Sequence, residues 1–248
     1  MSTINVNAID KESGGNLTLG GAGTQVTLHA SATSSGFGGG LANVQFFTSS
    51  GTYTRSADVT KIIVAICGAG GGGGGGRSTY GYMGLGGAGA GFCYKYISSA
   101  PSTSTITIGS GGAGGGADTN GTAGGASSYA DGTITLTANG GDWGYTGGWT
   151  ETADGGTASG GDLNITGANG YVSPFTIGTT VSVASGAGGA CAFPFTVAGS
   201  QKHMEVGDDG AFGSGGSGGG GTHHGGDYDT TRTAGDGGGG CCIIWEYI

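Results

Sequence analysis

The sequence predicts an all-β protein, in which a small β-sandwich base carries packed, glycine-rich loops of the polyglycine II type. An apolar run at residues 62–66 leads through Cys67 into residues 68–76, which are almost pure glycine. The C-terminus mirrors this junction, because residues 237–240 are all glycine and the apolar run at 241–248 follows them. β-Branched residues favour a pleated backbone, whereas polyglycine has no side chain to bury. The two junctions therefore bracket one unit with strands at its base.

Glycine makes up 66 of the 248 residues, but only 3 are proline and no G-X-Y repeat runs through the chain, which excludes collagen. Disorder is the alternative, and 9% charged residues with 3 Trp, 10 Tyr and 8 Phe argue against it. Runs such as GGGG predict left-handed helices with three residues per turn, because the missing Cβ lets neighbours approach and hydrogen-bond. Mobile loops are the competing interpretation.

Residues 1–40 are predicted to be a short β N-terminal segment for attachment or oligomerisation, ending in a linker. Their short strands, at 4–9, 17–19 and 26–28, are too short to be stable alone. Closed cyclic assembly would bury such edges, so we expect a homotrimer. Residues 41–248 are predicted to form one glycine-rich β domain.

Strands are expected in that domain wherever apolar residues alternate or run together between glycines. The best strand pair is expected within residues 44–67, and the first long strand should share a sheet with the last. Further strands are expected at residues 92–97, 105–109, 127–129, 134–138 and 241–248. The predicted core of the sandwich consists of Ile62, Val64, Ile66, Ile106, Ile108, Ile134, Leu136, Ile243 and Trp245.

Charge and cysteine usage narrow the function classes. The net charge is −9 and the seven basic residues form no stripe, so nucleic-acid binding is not expected. No apolar window predicts a membrane helix, and the N-terminus lacks signal-peptide features, so we expect no membrane insertion and no export by the usual secretory route. The cysteines at 67, 93, 191, 241 and 242 are expected to be reduced and buried, and no CxxC motif indicates zinc.

Aromatic residues among the glycines are the candidate binding residues. A ring on a loop above a rigid base offers a flat apolar face at low entropic cost. The alternative is that these rings fill space between glycine helices. The stretch at residues 140–152 is the strongest candidate, and the full set is Trp143, Tyr145, Trp149, Tyr80, Tyr82 and Tyr228.

No metal, cofactor or catalytic site is expected. His223 and His224 near Asp227 and Asp229, or His203 near residues 208–209, could ligate a metal, but their loose spacing favours solvated loops. The acids Asp142, Glu151, Asp154 and Asp162 lie in glycine-rich segments without a groove pattern, and no G-x-S-x-G motif occurs.

The order of strands and glycine runs resembles a known family. The stretches that carry the resemblance are QFFTSSGTYTRSADVTKIIVAICGAGGGGGGG, GGAGAGFCYKYI, STITIGSGGAGGG, GGDLNITGANG and the closing GGGGCCIIWEYI. The chain is similar to the glycine-rich domain at the C-termini of bacteriophage tail fibres and related adhesins, over residues 44–248. TLGGAGTQVTL and SSGFG in the first 40 residues resemble fibre repeats of marine and cyanobacterial phages. The sequence differs from that family's pattern in that a long shaft is not expected within the residues before the domain.

The resemblance implies a virion protein, assembled in the host cytoplasm, that binds a host surface glycan or outer-membrane protein without turnover. Residues 1–40 would then contact other virion proteins. A structural fibre or decoration protein on the capsid or neck is the first alternative. A polysaccharide depolymerase is the second.

Overall fold

The computed structural model confirms an all-β fold. It describes residues 40–76, 84–146, 152–171, 186–192, 207–216 and 233–248. The predicted N-terminal segment, residues 1–40, lies outside these ranges apart from Gly40. Every regular element within them is a strand. Nowhere in these ranges does a helix offer the length and apolarity needed to cross a membrane.

Ten strands in the described ranges form two antiparallel five-stranded sheets. The order of the first sheet is β1-β10-β3-β4-β9, and that of the second is β2-β5-β6-β7-β8. The strands are β1 (Leu41–Phe47), β2 (Gly51–Thr54), β3 (Lys61–Cys67), β4 (Phe92–Ile97), β5 (Thr103–Thr107), β6 (Ser127–Ala130), β7 (Thr135–Ala138), β8 (Ala158–Ser159), β9 (Leu163–Ile165) and β10 (Cys241–Tyr247).

The first long strand and the last strand share a sheet, as predicted: β3 pairs with β10 along its whole length. The prediction of a strand pair within residues 44–67 was wrong. Both β1 and β3 pair with β10, and β2 crosses to the other sheet to pair with β5. The chain's last strand thus inserts between two strands that are near each other in sequence.

The core between the two sheets contains most of the predicted residues. Ile62, Val64, Ile66, Ile106 and Leu136 are buried there, with Ile108 and Ile134 partly buried against them. Ile243 and Trp245 were wrongly placed. Because side chains alternate along a strand, the β10 residues that face this core are Cys242, Ile244 and Glu246.

The side of the first sheet that faces away from the second sheet also carries apolar residues. We call this side the outer face of the first sheet. Strand register places Ile243 and Trp245 on this face in two rows of uncharged residues that cross the sheet. These rows are Val44–Trp245–Ile63–Tyr96 and Phe46–Ile243–Ala65–Tyr94–Leu163.

A buried carboxylate joins the two sheets. Glu246 on β10 is fully buried and accepts hydrogen bonds from the Tyr53 hydroxyl, the Asn43 amide and both the N–H and hydroxyl of Ser56, at 2.7–2.9 Å. Burial by itself would raise the pKa of Glu246, but these donors outweigh it and lower the pKa to about 2. Burial of the Tyr53 side chain, together with its bond to Glu246, raises the pKa of Tyr53. The carboxylate is therefore ionised in the folded protein.

The glycine-rich excursions that the structure describes leave from one end of the sandwich. Cys67, Phe92 and Cys241 stand side by side in the sheet register, and each adjoins a glycine segment. We call the packed segments beyond them the glycine lattice. Its described parts are residues 68–76, 84–91, 109–125, 139–146, 152–157, 167–171, 186–191, 207–216 and 233–240.

Residues 68–76 form a central segment of the lattice, with every residue buried. Their N–H groups donate with a period of three. Those of residues 68, 71 and 74 donate to segment 84–91, those of 69, 72 and 75 donate to residues 119–125, and those of 70 and 73 donate to segment 233–240. These bonds, for residues 68–75, are 2.8–3.1 Å long. Carbonyls of the same segment accept from residues 112 and 115, 141 and 144, and 216. The segment thus has six neighbours, which confirms packed polyglycine II helices.

Segment 84–91 is equally buried and has six neighbours of its own. Close packing explains the glycines, because a Cβ added at residue 71, 72 or 87 would overlap with a backbone carbonyl. Unpaired amides would be costly in such an interior, and here they are paired between segments.

The cysteine prediction was only partly right. Cys93, Cys241 and Cys242 are buried free thiols, and burial raises the pKa of each. Cys67 and Cys191 form a disulfide between residues 124 positions apart, which sequence spacing does not indicate. It joins the end of β3 to lattice segment 186–191.

Candidate functional site

The two ends of the described domain carry different parts of the chain. Gly40 and Ile248 meet at the sandwich end, where the Ile248 N–H donates to the Gly40 carbonyl at 3.3 Å. At three residues per turn and about 3.1 Å per residue, segment 68–76 extends about 25 Å from the sandwich. We call the opposite limit of the lattice its outer end.

Backbone hydrogen bonds join several described segments of the lattice towards this outer end. Such bonds join Gly84 to Gly186, Leu85 to Tyr145, Ala153 to Gly170, Tyr171 to Ala187, Asp118 to Gly76 and Thr233 to Gly207. The lattice therefore gathers separate stretches of sequence at one rigid surface.

Segment 139–146 runs beside the central segment and shows how the lattice positions side chains. The N–H groups of Gly141 and Gly144 donate to carbonyls of the central segment at 3.0 and 2.8 Å. A Cβ at either position would overlap with the carbonyl of Ala88 or Leu85. The two glycines are buried and stand three residues apart in sequence. Large side chains of this segment therefore occur between the two glycines and directly after the second one.

Trp143 and Tyr145 occupy those positions and form a ring pair. Their ring centroids are 6.0 Å apart and the ring planes are inclined by 56°. Each residue is half-buried. Two rings held on a hydrogen-bonded backbone offer a preorganised apolar surface with a polar edge.

The other predicted binding residues lie outside the described residues. These are Trp149, Tyr80, Tyr82 and Tyr228. Their role stays a prediction. Of the other rings among the glycines, Tyr171 is 59% exposed, whereas Phe212 packs edge-on against Phe46 of the sandwich at 5.9 Å.

Two polar residues beside the ring pair, Asn120 and Thr146, were missed by sequence reasoning. The side-chain oxygen of Asn120 accepts the Thr146 N–H at 2.8 Å, and the Thr146 hydroxyl is buried without a hydrogen-bond partner. Asp142 is exposed next to Trp143. Asn120 comes from a different glycine segment, and glycine runs carry no signal of which segments are neighbours.

Two of the four carboxylates named as candidate acids, Asp154 and Asp162, are separately engaged. Asp162 pairs with Lys95 at 2.9 Å, and this bond lowers the pKa of Asp162. Asp154 accepts from Thr152 and Asn169. Glu151 lies outside the described residues.

A cleft of about 370 Å³ lies at the sandwich end, between Tyr96, Pro101 and the turn at Asp131. Asp131 holds that turn by accepting the N–H groups of Thr133 and Ile134 at 2.8 and 2.7 Å. Its carboxylate therefore serves the local backbone.

The possible metal ligands are only partly placed. His203, His223, His224, Asp227 and Asp229 lie outside the described ranges. Asp209 accepts the Asp236 N–H at 2.8 Å. Among the residues that the structure describes, no three His, Cys, Asp or Glu side chains come together as metal ligands would.

The fold and its surface define a β-sandwich protein that displays side chains on a packed polyglycine lattice. The family model described as glycine-rich domain matches residues 48–247, and the chain belongs to that family. A comparison with curated proteins found no match.

Proposed function

We propose that this protein is a non-enzymatic adhesin of a bacteriophage virion, in a tail fibre or surface fibre, that binds a receptor on the host cell. The observation that carries the proposal is the Trp143–Tyr145 ring pair, held on the hydrogen-bonded backbone of lattice segment 139–146. The resemblance to phage tail-fibre domains supports it. Residues 1–40 would attach the protein to other virion proteins, as a homotrimer.

The arrangement favours recognition for a physical reason. Aromatic residues that carry binding energy are most effective when little entropy is lost on ordering them. The backbone of segment 139–146 is already ordered by its neighbours, through bonds of 2.8–3.0 Å. The receptor would be a glycan or an outer-membrane protein.

The test is binding of the labelled full-length protein to a panel of bacterial strains, measured by flow cytometry. Truncating an aromatic hot spot typically costs about 2 kcal/mol or more, roughly thirtyfold in affinity. We expect Trp143→Ala to reduce binding to a positive strain at least tenfold with an unchanged melting temperature. Thr105→Ala, at an exposed position of β5 on the sandwich, serves as the control and should bind normally.

Equal binding by Trp143→Ala and Thr105→Ala would remove the ring pair from the receptor site. Absence of binding to every strain would favour the structural-fibre alternative. Shortening of surface polysaccharide by the purified protein would favour a depolymerase.

A further inference from the structure

Three of the cysteines lie together on the outer face of the first sheet. Cys67 and Cys191 form the disulfide that joins β3 to lattice segment 186–191. Cys241 is a buried free thiol, the first residue of β10 and the register partner of Cys67. The three side chains belong to one buried apolar cluster, together with Ala65 and Phe92. A third sulfur therefore lies beside the disulfide.

Strand pairing brings Cys241 close enough to Cys67 to bond to it. Directly opposed residues of an antiparallel pair have their side chains on the same face and their Cα atoms about 4.5 or 5.5 Å apart. Both separations fall within the range of about 4.4–6.8 Å that disulfides span. Because β10 pairs with β3 along its whole length, the sheet itself holds these two cysteines in place.

The other free thiols face away from the disulfide. Cys242 is the register partner of Ile66, and both side chains lie in the core between the two sheets. Cys93 belongs to the same core. Because side chains alternate along β10, Cys241 is the one of the three free thiols that shares a face with the disulfide.

The lattice closes over these sulfurs. The turn at Gly213 has a φ of 74°, and a Cβ added there would overlap with the Cys67 sulfur. The Gly213 carbonyl accepts the Ala90 N–H at 2.7 Å, and the Gly213 N–H donates to the Gly239 carbonyl at 2.9 Å. The turn therefore keeps thiols in solution away from the disulfide of the folded protein, whereas Cys241 is already inside.

We propose that Cys67 exchanges its disulfide partner between Cys191 and Cys241. The Cys241 thiolate attacks the Cys67 sulfur, so that a Cys67–Cys241 bond forms and the Cys67–Cys191 bond breaks. The electron pair of the broken bond leaves with Cys191, which takes up the proton that Cys241 lost. The exchange therefore consumes no oxidant or reductant.

The exchange replaces a covalent link between sandwich and lattice with a link inside the first sheet. Segment 186–191 is then held to its neighbours by hydrogen bonds such as that from the Gly189 N–H to the Gly87 carbonyl, at 2.8 Å. This inference goes beyond receptor binding, because it concerns how the lattice is tied to the sandwich.

The two disulfide forms can be trapped because the exchange is slow at neutral pH. Burial raises the pKa of the Cys241 thiol to about 12, so few of these groups are thiolates at pH 7. Only the thiolate attacks a disulfide. Raising the pH starts the reaction, and acid stops it.

The experiment incubates the oxidised, folded full chain at about pH 9 without reductant. Samples are trapped with acid, unfolded with N-ethylmaleimide to block free thiols, and digested with pepsin. Mass spectrometry then identifies the cysteine bonded to Cys67. Cys241→Ser removes the attacking thiol, whereas Cys242→Ser and Cys93→Ser remove thiols that face the core and serve as matched controls. Melting temperatures check that each variant is folded.

We expect the Cys67–Cys241 peptide to rise at least tenfold in the wild-type chain and in both controls, as Cys67–Cys191 declines. Both pairings at the start, in a constant ratio, would equally support exchange. Cys241→Ser should keep Cys67–Cys191 throughout. If one control fails to fold, the other replaces it, and the wild-type map still decides the result.

Three outcomes overturn the proposal. The first is a wild-type chain in which Cys67–Cys191 stays unchanged at pH 9. The second is a new bond from Cys67 to Cys242 or Cys93 in place of Cys241. The third is a chain in which Cys67 is bonded to neither Cys191 nor Cys241 at any time.

Discussion

The β-sandwich and the glycine lattice exclude water by opposite means. In the sandwich, side chains such as Leu136 and Tyr129 are fully buried and fill the space between two sheets. In the lattice, the backbone of residues 68–76 is itself the buried material, and its N–H groups bond to other segments. The sandwich should therefore be most sensitive to atoms that are removed, and the lattice to atoms that are added.

Adding one methyl group to the lattice should have the largest effect. In Gly72→Ala, the new Cβ overlaps with the Ala113 carbonyl. Backbone on all sides cannot move as a side chain can, so we expect a loss above about 4 kcal/mol in the free energy of unfolding, or no folding. Chemical denaturation measures this.

Gly239→Ala is the matched control, because the nearest atom to its Cβ would be the Gly109 carbonyl oxygen at 4.0 Å. It should change stability by less than about 1 kcal/mol. Equal tolerance of both substitutions would mean that close backbone packing does not hold the lattice together.

Removing atoms from the sandwich should have the next largest effect. Leu136→Ala leaves a cavity among fully buried neighbours in the core between the sheets. Such a truncation costs about 2–5 kcal/mol, and we expect about 3 here. Denaturant unfolding measures it, and a loss below about 1 kcal/mol would contradict the packing described for this core.

The parts of the fold that could be predicted are those with a side-chain pattern. Alternating and continuous apolar runs located β3, β4, β7 and β10, and repeated glycines indicated the period-three helices. The short strands β8 and β9 were missed, because two or three residues carry too little pattern. A shift of one residue in the register of β10 would move Ile243 to the other face of the sheet. Because β10 is apolar at consecutive positions, its sequence does not indicate which register is correct.

The candidate site was predictable only as a cluster within one segment. Trp143 and Tyr145 are two residues apart in sequence, so their proximity followed from spacing. Asn120 could not be assigned to the same surface. Which glycine segments become neighbours is decided by close backbone contacts, and glycine has no side chain to record them.

A smaller effect should come from the carboxylate that joins the sheets. The pKa of Glu246 falls from an ordinary 4.5 to about 2 on folding, so the ionised form stabilises the protein above about pH 4.5. That contribution is lost as the pH falls from about 4.5 to 2. Glu246→Gln should cost about 1–3 kcal/mol at pH 7 and progressively less towards pH 2.

Thermal melts at a series of pH values check this prediction. Asp162→Asn, at an exposed carboxylate, is the control and should shift the melting curve little at any pH. A constant difference between Glu246→Gln and the wild-type protein from pH 7 to pH 2 would show that ionisation of Glu246 is not what stabilises the fold.

Amide hydrogen exchange of residues 68–75 tests most directly whether the lattice is an ordered, hydrogen-bonded interior. Exchange followed by mass spectrometry or NMR on the full chain should find these amides as slow as those of β3, because both open only when the domain unfolds. Exchange of the glycine amides at the rate of an unfolded chain, while β3 stays protected, would contradict the account.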